Sequence, residues 1–271
     1  MSDPLASPDA APWTTRPLLG DDAWVVVSDN PGPLTLDGTN SYVLSTTSGC
    51  VLVDPGPALA QHREALEERC PDLRLVLLTH SHADHSEIAF DVAEAHEVPL
   101  RASDPAWCLD AGPLEDGERL SLGDGSELLV VATPGHTADS LSFVLHRGGR
   151  APAVLSGDML LGRGTTFVSH PQGRLVDFLR SLDRLAEAVD AQTQVLPGHG
   201  PVRDDAAGLV AAYRTHRLER LDQVRTAWIG GARTVDEVLD AVYGPLTGTL
   251  RAAARSSTQA QLAYLNLLPP D

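Results

Sequence analysis

For its first two-thirds the chain alternates short apolar runs with amphipathic stretches, and then its character changes. AWVVVSD (23–29), NSYVLST (40–46) and GCVLVD (49–54) are branched, apolar and separated by Pro/Gly turns, the pattern of strands. LRLVLLT (73–79) is too short and too branched for a helix and reads as a strand buried on both faces. ELLVVAT (127–133), SLSFVLH (140–146) and APAVLSG (151–157) form a second set, and TQVLPGHG closes it with a last strand and a glycine-rich loop. Residues 58–69 and 85–97 carry helical patterns, the second with Asp84 and Glu87 in a capping-type relation at its start. In 173–190, Leu175, Phe178, Leu179, Leu182, Leu185 and Val189 fall on one face of a helix.

Beyond about residue 205 only helical patterns follow. They comprise one long helix (206–229), a Gly-Gly break, and then TVDEVLDAVYG, LTGTLRAAAR and STQAQLAYLNLL. Three or four helices are expected, docked on the main domain or on a second copy in a homodimer. The expected division is a leader over 1–20, a mixed α/β domain over 21–205 and a helical domain over 206–271. The start, MSDPLASPDAAP, is acidic and proline-rich without a basic or hydrophobic stretch, which fits a disordered leader rather than a signal peptide. No apolar run approaches the roughly 20 residues that span a bilayer, so a membrane partner is not expected.

Charge and cysteine usage narrow the chemistry. The formal net charge is −17, and residues 206–271 hold seven Arg against six acids, so the negative excess lies in the first 205 residues. Such a surface repels polyanions at long range. Every basic residue is Arg; there is no lysine. Cys50, Cys70 and Cys108 are scattered without a CxxC spacing. That argues against a disulfide framework or a thiolate zinc site and for a reducing, cytoplasmic setting.

LLTHSHADHS (77–86) then crowds His80, His82, Asp84 and His85 into six positions at a strand end. A core accepts such groups only if something pairs with all of them. In extended backbone His80 and His82 project to the same side, and Asp84 and His85 return to that volume at the turn into the next helix. Three later strands each deliver one more ligand-type residue beside a glycine: His136 in ATPGHT, Asp158 in LSGDM and His199 in LPGHG. Imidazole and carboxylate together suit zinc, manganese or iron. His62, His96, His146, His170 and His216 lack such settings and read as surface or helix histidines. No G-x-S-x-G elbow is present.

The order H-x-H-x-D-H, a G-H-T histidine, a G-D aspartate and a P-G-H-G histidine resembles the metallo-beta-lactamase-fold hydrolases from about residue 21 onward. The resemblance implies an α/β fold, an αββα four-layer sandwich with two metal ions, most often zinc, at one edge. On this sequence His80, His82 and His136 would bind the first ion, Asp84, His85 and His199 the second, and Asp158 would bridge them. A metal-bridging hydroxide oriented by Asp84 would then be the nucleophile. Ser86 stands where the family usually has Gly. Asp158 stands where the zinc beta-lactamases have Cys or Ser, which argues against antibiotic hydrolysis.

NPGPLTLDGTNSYVL, SGDMLLGRGTTF, DFLRSLDRL and YRTHRLERLDQV further resemble the beta-lactamase-like protein two subgroup. That subgroup includes endoribonucleases acting on single-stranded RNA, with a winged-helix-like C-terminal domain whose hairpin wing is missing after LNLLPPD. Three functions follow: RNA phosphodiester hydrolysis, small ester or thioester hydrolysis as in glyoxalase II-like relatives, or a non-catalytic binding protein on the same fold. Arg214, Arg217 and Arg220 could line a phosphate path or form a solvated face paired with Glu219 and Asp222. Asn40 in the Gly38-Thr39-Asn40 loop, Thr137, Tyr213 and His216 are the candidate substrate contacts.

Overall fold

The computed structural model describes residues 15–19, 23–123 and 125–268. Strands β1 (Arg16–Leu18), β2 (Ala23–Val27), β3 (Asn40–Thr46), β4 (Gly49–Val53), β5 (Leu73–Leu77) and β6 (Leu100–Arg101) form one sheet in sequence order. Its first pairs are antiparallel, and the β4–β5 and β5–β6 pairs are parallel. The second sheet runs β11 (Gln194–Pro197), β10 (Arg150–Gly157), β9 (Leu141–Arg147), β8 (Glu127–Ala132), β7 (Arg119–Ser121), with only β10 and β11 parallel.

Side-chain alternation explains the layers. Val25, Tyr42, Leu44, Val51, Val53 and Leu77 point from the first sheet into a shared core with Leu128, Val130, Phe143, Leu145 and Leu155 of the second. The intervening residues face outward. Val26, Val43, Leu52 and Val76 pack under helices α1 (Ala60–Arg69) and α3 (Ala89–His96). Val131, Val144, Val154 and Val195 pack under α4 (Leu175–Ala188) and α5 (Ala206–Ile229). Strands apolar on both faces therefore give helix, sheet, sheet, helix, the expected four layers. A small all-helical region follows: α5, α6 (Val235–Tyr243) and α7 (Gly248–Tyr264) share a minor core of Val224, Val238 and Leu262.

Several expectations are corrected. Arg16–Leu18, placed by sequence in the leader, pair with β2, while residues 1–14 lie outside the described residues. The helix expected over 85–97 is two pieces, α2 (Ala83–Ser86) and α3. Glu87 does not cap it: its carboxylate accepts from Ala58 N at 2.9 Å, and Ile88 N donates to Gly56 O, so both residues are drawn off the helix path. The two C-terminal segments expected around residues 248–264 are one helix, α7. Its interior Ser256 and Ser257 hydroxyls accept from His170 N and Val168 N instead of breaking the helix. Cys50 and Cys70, 20 residues apart, are joined in a disulfide because β4 and the end of α1 bring their Cα atoms to 5.9 Å, contrary to the expectation of unpaired thiols. Among the described residues no helix is long and apolar enough to cross a membrane.

Candidate metal centre

The C-terminal ends of β5, β8, β10 and β11 converge at one edge of the sandwich. His80 lies three residues past the end of β5, His82 is the extended residue that precedes α2, and Asp84 and His85 lie in its single turn. His136 sits on the loop after β8, Asp158 directly after β10 and His199 two residues after β11. The seven side chains predicted from strand-end spacing thus meet in one volume, and all but His82 and Asp84 are buried. His80, His82 and His136 place one ligand atom each within 4.8 Å of one another, as do Asp84, His85 and His199. Asp158 stands between the trios, with Oδ2 3.6 Å from His136 Nε2 and Oδ1 3.5 and 3.4 Å from His85 and His199 Nε2.

Three of the five rings, His85, His136 and His199, are oriented from behind, which sequence spacing did not reveal. His136 Nδ1 donates to Phe167 O at 2.8 Å, and His199 Nδ1 to Gly38 O at 3.1 Å. His85 Nδ1 donates to Asp54 Oδ2 at 2.9 Å. Asp54 also accepts from Thr79 N and Thr79 Oγ1, both at 2.7 Å, from a left-handed backbone (φ 54°) after β4. In these three rings a bond at Nδ1 turns Nε2 toward the centre. The signal for Asp54 was available in LVDPGP, an aspartate at a strand end beside the strand that delivers His80. Gly135 is needed in the His136 loop: its φ is +145° and a Cβ there would lie 2.4 Å from Phe178 Cα.

Electrostatics divides the cluster. Burial lowers His136 to about 4, and burial with the nearby His85 charge holds His80 well below its ordinary value, so these rings are neutral. Burial would lower His199 too, but the Asp158 charge overrides it and raises the ring to about 9. His85 is likewise held up, against burial, by Asp54 and Asp158. Burial opposes ionisation of Asp84, yet the hydrogen bond from His199 and the His85 charge keep it at about 2. Two ionised carboxylates therefore face two imidazoles that carry protons where a cation would sit. His80 Nε2 and Asp158 Oδ1 are buried without a hydrogen-bond partner, a combination that divalent ions satisfy.

The remaining candidates take different places. Asn40 is buried, its Nδ2 donating to Pro197 O and Gly200 O at 2.8 Å each, and Tyr42 Oη donates to the same Pro197 O at 2.7 Å. Both hold the His199 loop. Thr137 is buried against Ser140 Oγ at 2.6 Å. Tyr213 is fully buried and its hydroxyl accepts from Leu161 N at 2.8 Å. His216, 3.4 Å from Thr165 Oγ1, lines a cavity of about 340 Å³ that Asp158 also lines. The other walls are residues 33–36, residues 161–167 and the helices α5–α7, with Leu36, Leu161, Leu246 and Leu250 prominent. His62, expected as a surface or helix histidine, is buried on α1 against Ser41 Oγ at 2.9 Å.

Arg214, Arg217 and Arg220, read from sequence as either a phosphate path or a solvated face paired with Glu219 and Asp222, take three different places. Arg214 pairs with Asp183 on α4 rather than with Glu219 or Asp222. Arg220 bonds Gln223 and Val242 O and stacks on Tyr243 at 4.5 Å, and Arg217 is buried.

Comparison with known proteins settles the lineage, because residues 34–199 match the model of the metallo-beta-lactamase superfamily. The chain belongs to that superfamily. Within it, the chain is 30% identical over 260 residues to the beta-lactamase-like protein 2 homolog of Caenorhabditis elegans, covering 91% of this chain and 85% of that one. A metallo-beta-lactamase family protein from Thermus thermophilus superposes with a TM-score of 0.75 at 24% identity, over 92% of this chain and 94% of that one, which is likeness of fold. TTHA1623, solved in a di-iron-bound form, is 28% identical with a TM-score of 0.55, covering 71% of this chain and 98% of its own. The superfamily's fold and the His/Asp clusters together make this a metal-dependent hydrolytic protein with ligands arranged for two ions.

Proposed function

We propose that the chain hydrolyses small ester or thioester substrates at a pair of divalent ions. His80, His82 and His136 hold the first ion, Asp84, His85 and His199 the second, and Asp158 lies between them. The donor set is imidazole and carboxylate without thiolate, which accepts zinc, manganese or iron, and the di-iron form of TTHA1623 is consistent with that range. Bound there, two divalent ions would bring the pKa of a shared water toward neutrality and polarise a carbonyl oxygen. Asp84, with its side chain 29% exposed and Oδ2 within 3.2 Å of His199 Nε2, would be the carboxylate that orients such a water. Asn40, Tyr42 and Tyr213 act as positioning residues for the loops around the site, and Thr137 braces the turn after His136.

The observation that carries the substrate class is the cavity beside Asp158. It is a half-open cleft, mainly apolar and sized for a small molecule. A single-stranded RNA substrate would need a cationic track. Arg214 and Arg220 are engaged within the protein, and the formal charge of −17 opposes a polyanion. The test is turnover of p-nitrophenyl esters and acyl thioesters by metal-loaded protein, with labelled single-stranded RNA in parallel and Asp158→Asn as the blank. Ester or thioester hydrolysis lost in the variant supports the reading. RNA cleavage lost in the variant, with esters untouched, replaces it by the phosphodiesterase reading.

A further inference from the structure

One cation in the cavity wall has no anion. Arg217, in the middle of α5, is 4% exposed. Its Nη2 donates to Thr166 O, its guanidinium lies 4.6 Å over the Phe178 ring, and its Nε has no hydrogen-bond partner. Among the described residues no carboxylate lies within ion-pair distance of it. Of the other arginines nearby, Arg163 grips Asp37 at 2.6 and 2.8 Å and Arg214 pairs with Asp183, while Arg220 bonds Gln223 and Val242 O, stacks on Tyr243 and does not line the cavity. Buried charges are ordinarily paired, because removing an ion from water costs several kcal/mol. Burial draws Arg217 below the ordinary guanidinium value, with Tyr213 and Tyr243 facing it, yet a guanidinium remains charged near neutrality.

Arg217 lines the same cavity as Asp158, with Leu36, Leu161 and Leu250 also on its walls. A molecule whose carbonyl reacts beside Asp158 can therefore lay an apolar body along these leucines and offer an anion to the guanidinium. One available cation matches one negative charge. A phosphate dianion would call for a second cation, and Arg163 is committed to Asp37.

We propose that Arg217 recognises a carboxylate on the substrate, so that the preferred substrates are esters or thioesters of an apolar acyl chain that ends in a carboxylate. This rests on the ester and thioester reading above. Arg217 also braces Thr166, next to the Phe167 carbonyl that orients His136, so a substitution there will change turnover of every substrate to some degree. The informative quantity is a ratio that bracing does not move.

The experiment uses the metal-loaded full chain with N-acetylcysteamine thioesters of four-, six- and eight-carbon dicarboxylic acids, each against its ω-carboxamide counterpart. For at least one length the carboxylate form is expected to exceed the amide in kcat/KM by about 10- to 100-fold, mostly through KM, as for a charged hydrogen bond. In Arg217→Met that ratio falls to about one, and Arg217→Lys keeps part of it. Equal kcat/KM for both forms at every length in the wild-type protein, with the amides turned over, overturns the inference and leaves the hydrolase reading standing. No turnover of these thioesters or of p-nitrophenyl esters overturns the ester and thioester reading. The Arg217 claim is then decided by calorimetric binding of free dicarboxylates against ω-carboxamide acids. Tighter binding of the dicarboxylate in wild type but not in Arg217→Met supports it, and equal binding overturns it.

Discussion

Asp54→Asn removes one charge from behind the metal centre while keeping the size of the side chain. In the native protein Oδ1 accepts from Thr79 N, and Oδ2 accepts from Thr79 Oγ1 and His85 Nδ1, at 2.7, 2.7 and 2.9 Å. An asparagine cannot reproduce this set. If its oxygen faces Thr79 N, its amide N–H₂ faces His85 Nδ1, which must then accept, and the ring proton moves to Nε2 and points into the centre. If the amide is reversed, two N–H groups meet at Thr79 and the buried amide is left unpaired. The first outcome removes the lone pair that binds the ion, and the second costs about 1–3 kcal/mol of stability. Loss of a group that orients a metal-binding histidine weakens binding by about 10- to 100-fold, or roughly 1.4–2.7 kcal/mol. The assay is competition for metal against a graded chelator, with metal content per chain read by mass spectrometry and folding checked by circular dichroism. Wild type should hold two ions, and Asp54→Asn should lose the one at Asp84, His85 and His199 at lower chelator strength while retaining the other. Two ions held with unchanged affinity by a folded Asp54→Asn protein would refute the assignment of Asp54 as the group that fixes the His85 tautomer.

Two further substitutions probe the geometry elsewhere. Gly198 has no left-handed backbone, but an added Cβ would lie 2.5 Å from Asp158 Oδ1 and 2.7 Å from His85 Cε1. Gly198→Ala should therefore keep the fold and its thermal midpoint within a few degrees while losing metal and activity, and unaltered metal content would count against the placement of Asp158. Burial holds His62 at about 4 in the folded chain, below its unfolded value. Between roughly pH 6.5 and 4 the unfolded chain binds the extra proton, so stability rises with pH in that window and is lost as pH falls through it, by up to about 3 kcal/mol. Thermal melts of wild type and His62→Gln across that range should differ in slope, the variant being flatter; parallel curves would show that His62 contributes no such linkage.

How much was legible depends on whether the cause was local. The strands that deliver the ligands are short apolar runs that read as strands from composition and flanking Pro and Gly, and the structure has each of them. The ligands could be read because each stands at a strand end, and parallel or sheet-edge packing brings such ends together. What was missed arises from long-range partners. The Asp84–Glu87 cap gave way because Glu87 is claimed by Ala58 and Asp84 by the centre. Ser256 and Ser257 read as a helix boundary, but loop 168–170 satisfies their hydroxyls inside α7. The Cys50–Cys70 bridge depends on a turn of tertiary structure that brings β4 beside the end of α1, which no CxxC spacing announces. Arg214, Arg217 and Arg220 of α5 looked equivalent by spacing, yet packing sends Arg217 inward and leaves Arg214 at the surface. β1, β6 and β7 are two or three residues long, too short for periodicity to register.

On the proposed reading, seven side chains from four strand ends hold two ions side by side. The most direct test of that reading is diffraction from crystals grown with zinc, manganese or iron, collected on both sides of the metal's absorption edge. Two anomalous peaks are expected, one among His80, His82 and His136, the other among Asp84, His85 and His199, with Asp158 between them. A single peak at full metal saturation, or peaks away from these residues, would contradict it.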